Sequence, residues 1–379
     1  MAGHGVPRVS SKKSTSQGAR DKELEQIKSY RNLVDDVNLK VAENQFTGEV
    51  LSLTSNLLSQ NPEYYTIWNY RRLILLHGLF PKSNAEDQGE APSFQKVVGL
   101  IRTDLNFLVP LLRQYPKCYW IWKYRIWLLQ ESIIRLPASF AAEIWRDERK
   151  LVDKMLVLDR RNFHGWGYRR LVMEQLRQFD LDSKDSEDYR KDPPEKRLTE
   201  EEFEYTTKMI KTDLSNFSAW HYRSKLIPEI LDIRAADDAA RLKLLNEEFE
   251  LILPALWTDP SDQSLWFYHQ WLMSNLTSAL SPDASAASPV CPNIEDYEAL
   301  ALLRDKIDDI REIVEYETEC KWIYEALFRY TLQLRLLETD DAPDSTDLRT
   351  WLERLRELDP LRNGRWDDWQ KELGRSTRG

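Results

Sequence analysis

Residues 160–170 read RRNFHGWGYRR, and the core of this stretch recurs along the chain. It appears as IWNYRR at 67–72, IWKYRI at 121–126, GWGYRR at 165–170, AWHYRS at 219–224, LWFYHQ at 265–270 and KWIYEA at 321–326. A tyrosine follows each tryptophan by two residues (Tyr70, Tyr124, Tyr168, Tyr222, Tyr268, Tyr324), and an arginine follows by three in the first four copies (Arg71, Arg125, Arg169, Arg223). His269 and Glu325 break that last position. A turn or cap residue stands seven before the tryptophan at Asn61, Asp159, Asp213 and Asp259, with proline after Asn61 and Asp259.

A seventh, degenerate copy, DPLRNGRWDDW, keeps Asp359, Pro360 and Trp366 but has lost the tyrosine and arginine, as terminal repeats do. The tryptophans are 54, 44, 54, 46, 56 and 44 residues apart, long enough for two helices and their turns. The first helix of a unit is amphipathic, as in FTGEVLSLTSNLLSQ over 46–60, with apolar residues three and four apart. Asn or Asp, often with a following proline, then stops one helix and caps the next. A hairpin of this kind cannot bury its apolar faces alone. The expected fold is therefore all-α, a right-handed superhelical solenoid of about seven helical hairpins centred on Trp68, Trp122, Trp166, Trp220, Trp266, Trp322 and Trp366. The domain expectation is a disordered tail over 1–20 and a single superhelix over 21–375. Low-complexity stretches at 81–92, 180–197 and 278–293 read as exposed loops.

Composition agrees with helices carrying large anchors: 14 Trp and 16 Tyr against 12 Gly, with 31% charged residues. A net charge of −10 disfavours nucleic acid and anionic membrane as general partners. Cys118, Cys291 and Cys320 are distant and lack CxxC spacing, so neither a disulfide framework nor a cysteine zinc site is expected. No apolar run reaches the ~18 residues of a membrane span, and 1–20 lacks a signal core. A cytoplasmic, non-membrane protein is expected.

Phase-locked recurrence makes Trp68, Trp122, Trp166, Trp220 and Trp266 core wedges. Tyr168 and Arg169 share that reading, the tyrosine needing a hydrogen-bond partner and the arginine a carboxylate or carbonyl from a neighbouring repeat. Function belongs in positions that differ between copies. Among the turns before each tryptophan, only Lys117 with Tyr119, and Asn162 with His164, set a cation or imidazole beside an aromatic. Lysine pairs with phosphate as a point charge, and tyrosine or histidine can donate to the same oxygens. Adjacent hairpins would bring both turns to one rim. The five histidines show no metal-ligand spacing, and there is no GxGxxG, GxxxxGK[ST], GxSxG or Cys–His dyad, so the chain is not expected to be an enzyme by itself.

The series NPEYYTIWNYRR, YPKCYWIWKYR, DRRNFHGWGYRR and LSNFSAWHYRS resembles the repeats of protein prenyltransferase α subunits, over residues 25–372 or so. The HGV start at His4, NFSAWHYRSKLIP, and ECKW followed by LDPLR resemble the Rab geranylgeranyltransferase (type II) branch in its short fungal form. The resemblance implies a crescent wrapped around an obligate partner β subunit. That partner holds zinc and most of an isoprenoid pocket, this chain binds no metal alone, and magnesium is left open. It further implies transfer of geranylgeranyl from its diphosphate to C-terminal cysteines of Rab GTPases presented by an escort protein. The family's diphosphate-contacting lysine falls on Lys117, which would stabilise the leaving group, and its other substrate-binding positions fall on Tyr119, Asn162 and His164. In the α subunit shared by farnesyltransferase and type I geranylgeranyltransferase, which process CaaX substrates, a glutamine follows that tyrosine; here Trp120 stands there. That shared subunit and a non-catalytic helical-repeat scaffold are the alternatives.

Overall fold

A computed structural model of the chain describes residues 17–81, 91–181, 194–279, 290–337 and 345–376. Among the described residues there are helices and turns but no strand, which makes the fold all-α as the repeat implies. The chain divides into two compact units, residues 1–184 and 185–379.

Unit 1 contains α1 (Gln17–Ala42), α2 (Gly48–Gln60), α3 (Tyr65–Ile74), α4 (Ala91–Gln114), α5 (Tyr119–Arg135), α6 (Ala138–Leu158) and α7 (Phe163–Leu181). The hairpins are α2 with α3, α4 with α5 and α6 with α7, and the second helices α3, α5 and α7 lie side by side. A π turn, Leu75–Leu79, extends α3. Its Gly78 lies so close to Phe46 that a Cβ would sit 1.8 Å from the Phe46 carbonyl oxygen. Unit 2 repeats the plan with α8 (Pro194–Thr212), α9 (Phe217–Ile233), α10 (Asp238–Thr258), α11 (Gln263–Ala279), α12 (Asp296–Tyr316), α13 (Lys321–Leu337), α14 (Ser345–Leu358) and α15 (Asn363–Ser376). The tail expected over 1–20 lies mainly outside the described residues, with α1 beginning inside it at Gln17. The expected loops at 81–92, 180–197 and 278–293 fall largely outside them too.

The recurrent residues are structural, and the tryptophans of the first five copies do the same work. The five tryptophans are buried, and each indole N–H donates to the carbonyl six residues upstream: Trp68 to Pro62 at 2.8 Å, Trp122 to Pro116 at 3.0 Å, Trp166 to Arg160 at 2.8 Å, Trp220 to Leu214 at 2.8 Å and Trp266 to Pro260 at 2.7 Å. One side chain thus fills the hairpin core and pairs a turn carbonyl that no helix ladder reaches.

The tyrosine and arginine of successive copies meet on a shared buried acid. Asp104 takes the Arg71 guanidinium from one repeat and the Tyr124 hydroxyl, at 2.5 Å, from the next. Glu148 takes Arg125 through two contacts of 2.6 Å together with Tyr168, and Glu248 takes Arg223 together with Tyr268 at 2.6 Å. The acid precedes the tyrosine by 20 residues in all three cases. Burial alone would weaken the Arg125 charge, but Glu148 and Tyr168 together outweigh it and hold the guanidinium above its ordinary pKa.

Repeat six corrects the sequence alignment. Its tryptophan slot is held by Tyr324, whose hydroxyl donates to the carbonyl six residues back, at Thr318 (3.1 Å), as each tryptophan does. The repeat is therefore centred on Tyr324, not on Trp322, which stands half-buried beside the start of α13. The same register places His269 in the arginine slot, Lys306 in the acid slot and Ala326 in the tyrosine slot. His269 is buried, accepts or donates through Nδ1 with Tyr330 at 3.3 Å, and is pushed down to about 3 by burial and by Lys306. Lys306 turns to Asp305 and Asp309 at 2.8 and 2.9 Å instead. One repeat further on, buried Leu327 and Leu348 occupy the arginine and acid slots.

Candidate functional site at the helix rim of unit 1

Three turns of unit 1 precede the second helices α3, α5 and α7, and they are tied together. The Cys118 thiol donates to the Pro62 carbonyl at 3.5 Å, and the Asn162 side-chain amide donates to the Pro116 carbonyl at 2.9 Å. Each of those two carbonyls also receives its own tryptophan, so every turn is pinned to the next.

Lys117 lies in the middle turn, with its side chain 40% exposed and its ammonium 2.8 Å from Asp159 in the neighbouring turn. Tyr119 opens α5 and is exposed; its ring lies 6.0 Å from His164, the second residue of α7. Lys123, one turn further along α5, places its ammonium 5.6 Å from the Tyr119 ring centre. His164 is held below its ordinary pKa, first by burial and then by the Lys117 charge, with a hydrogen bond from its ring N–H to the Lys117 backbone carbonyl opposing. The shift favours the neutral ring, whose one N–H faces the Lys117 carbonyl and whose other nitrogen is an acceptor. Cys118 is the buried N-cap of α5, and the N–H groups of Trp120 and Ile121 face its sulfur. The positive end of the α5 dipole adds to the charge of Lys117 beside Tyr119.

The rim is also aromatic. Tyr65 stacks on Trp120 at 5.3 Å, Trp120 meets Tyr119 edge-on at 5.3 Å, and Phe163 lies 4.0 Å from His164 while remaining 65% exposed. Unit 2 carries a related ladder, Phe217 to Phe267 at 6.1 Å and Phe267 to Trp322 at 6.3 Å.

Lys117, Tyr119 and His164 come together as the repeat arithmetic implies, but Asn162 does not join them as a ligand. It is 3% exposed, its amide nitrogen is bonded to Pro116, and its oxygen receives the N–H groups of His164 and Gly165 at 3.0 and 3.2 Å. Those bonds make it the cap of α7. Asn216 is buried in the same way before α9 and accepts from the Ala219 N–H at 3.2 Å, so the residue is shared between copies and is structural. Asp159, absent from the sequence-derived candidates, belongs to the site through its contact with Lys117. The only signal for it was its recurrence as a turn acid, which had marked it as a cap. Among the described residues no group of three or more His, Cys, Asp or Glu side chains could hold a metal ion.

The matched repeats coincide with the hairpins. The family model "Protein prenyltransferase alpha subunit repeat" matches residues 48–78, 101–132, 145–176, 199–230 and 245–276, one hairpin each. The geranylgeranyl transferase type-2 subunit alpha of Schizosaccharomyces pombe is 32% identical over 373 residues, 98% of each chain. The chain belongs to the type-2 geranylgeranyl transferase alpha-subunit family. The type-2 alpha subunit of Candida albicans is 39% identical over 230 residues, which are 61% of this chain and 57% of that protein. The match thus spans less than three-fifths of the length of the Candida relative. A solved structure described as Candida albicans protein geranylgeranyltransferase-I complexed with GGPP shares the fold, with a TM-score of 0.56 over 91% of both chains at 18% identity.

Proposed function

We propose that the chain is the alpha subunit of a heterodimeric protein geranylgeranyltransferase of type II. It would act with a β subunit on C-terminal cysteines of Rab GTPases brought by an escort protein, in the cytoplasm. Full-length similarity to a type-2 alpha subunit supports the reading, and one observation of geometry carries it: Lys117, Tyr119 and His164 stand together at the N-terminal end of α5. A diphosphate seated there would receive the Lys117 ammonium, with the Tyr119 hydroxyl and His164 within reach of its other oxygens. As the bond between the isoprenoid carbon and the bridging oxygen breaks, negative charge builds on the diphosphate, and a prepositioned cation stabilises it more than it stabilises the ground state. Exposed Tyr65, Tyr119 and Phe163, with half-buried Trp120 stacked on Tyr65, form an apolar face that suits coverage by a partner. Zinc, expected on the β subunit, would keep the attacking cysteine as thiolate. No described helix is long and apolar enough to cross a membrane.

The CaaX-processing reading is disfavoured by Trp120, whose ring is engaged with Tyr65 and Tyr119 where the CaaX branch has a carboxylate-binding glutamine. The test is to purify the chain with type-2 and CaaX-type β subunits and to assay prenyl transfer to a Rab and escort complex against a CaaX peptide. Transfer to Rab alone supports the proposal, transfer to the peptide supports the shared CaaX subunit, and stable folding with no transfer in any pairing supports a scaffold.

A further inference from the structure

Asp159 ends α6, where its backbone N–H donates to the Met155 carbonyl at 3.0 Å and its own carbonyl receives Asn162 N–H at 3.1 Å. Its carboxylate is thus mounted on a fixed cap, whereas its partner Lys117 reaches it on a flexible four-carbon stem. The two side chains meet at 2.8 Å yet stay 40% and 25% exposed, so the pair is open to solvent and to an incoming ion. The arrangement recurs at the equivalent cap of repeat seven, where Asp359 holds Lys321 at 2.7 Å. In the core, Arg125 and Arg223 each take their acid through two bonds and are buried. At the rim a single-point lysine contact stands in their place, strong enough to orient the ammonium and weak enough to exchange.

We infer that Asp159 is a positioning residue that serves as the internal counterion of Lys117, surrendering the ammonium when a diphosphate arrives. This rests on the diphosphate reading of the rim given above. The carboxylate competes with every anion for Lys117, so a species of one or two charges gains little by displacing it, whereas a diphosphate brings enough charge to win. Asp159 therefore sets selectivity for the diphosphate over simple anions as well as placing the cation that receives it.

The test is steady-state kinetics of the assembled heterodimer with Asp159→Asn, which keeps the cap and removes the charge. KM for geranylgeranyl diphosphate should fall about two- to five-fold, the range of an exposed ion pair, with the change carried by KM rather than kcat. Inorganic phosphate should inhibit the variant more strongly than the parent. In a Lys117→Met background the same substitution should change neither quantity, and Asp159→Glu should restore the parent KM. A raised or unchanged KM, or an Asp159→Asn effect that persists without Lys117, overturns the inference and leaves Asp159 a cap only. If the unsubstituted heterodimer transfers no isoprenoid, the reading of the rim fails first, which separates the two failures.

Discussion

Replacing Glu148 by leucine should damage unit 1 more than removing the whole cluster that surrounds it. Glu148 is 3% exposed and takes two Arg125 nitrogens at 2.6 Å together with the Tyr168 hydroxyl. Without it, Arg125 is a buried cation, 2% exposed, whose remaining partner is the Leu105 carbonyl at 2.8 Å. Stranding such a charge costs about 3–5 kcal/mol. The orphaned Tyr168 hydroxyl adds roughly 1–3 kcal/mol. For a unit of this size each kcal/mol lowers Tm by about 2–4 °C, so Glu148→Leu should lower it by roughly 8–30 °C. The triple variant Arg125→Met, Glu148→Leu, Tyr168→Phe removes charge and hydroxyl together and should regain most of the loss, since well-packed apolar replacement of a buried ion pair is often neutral. Repeats six and seven already carry Leu327 and Leu348 in these slots. Differential scanning calorimetry of the three proteins decides the matter: a Glu148→Leu shift under 3 °C, or a triple variant no better than the single, would refute the reasoning.

The remaining expectations are more local. Lys117→Ala should lower turnover of the heterodimer by about two to three orders of magnitude, as loss of a preorganised donor does, with Tm and assembly unchanged; a parent-like kcat would remove Lys117 from the chemistry. Asn162→Ala should cost about 1–2 kcal/mol of unit 1 stability through the lost cap, measured by urea denaturation, and an Asn162→Ala protein of full stability but poor diphosphate affinity would restore it as a ligand. His269 binds its proton near 6.5 when unfolded but only at about 3 when folded. The unfolded chain therefore holds the extra proton across that window, and stability falls as pH drops from about 6.5 towards 3. This acid weakening of unit 2 should shrink in His269→Gln, and melting curves against pH that are superimposable for the two proteins would contradict it.

The repeat was legible because one residue does one job at one offset. Trp68, Trp122, Trp166, Trp220 and Trp266 each fill a core and pair a carbonyl six back, and that double demand cannot drift without loss. The acids were legible in principle: Asp104, Glu148, Glu202 and Glu248 each stand 20 before Tyr124, Tyr168, Tyr222 and Tyr268. They escape a reading centred on tryptophan because the first is Asp and the other three Glu, and the matching residue lies in the other helix of the hairpin. Repeat six misleads for a related reason. Trp322 is a tryptophan of the rim two residues from the core slot, and sequence alone does not tell an indole that packs inward from one that faces the turn. Asn162 misled in the opposite sense, since proximity to His164 in sequence said nothing of an amide turned towards Pro116.

By itself the sequence determined the helical hairpin, its number of copies and the turns that differ, because helix period, caps and anchor spacing are local and recur. Only the tertiary structure decided which polar groups of those turns are free to act. Lys117, Asp159, Tyr119 and His164 come from two turns more than 40 residues apart in sequence, and whether each is satisfied within the fold or left for a ligand depends on distances across repeats. Asn162 spends its hydrogen bonds on the fold, while Lys117 keeps an exposed, exchangeable one.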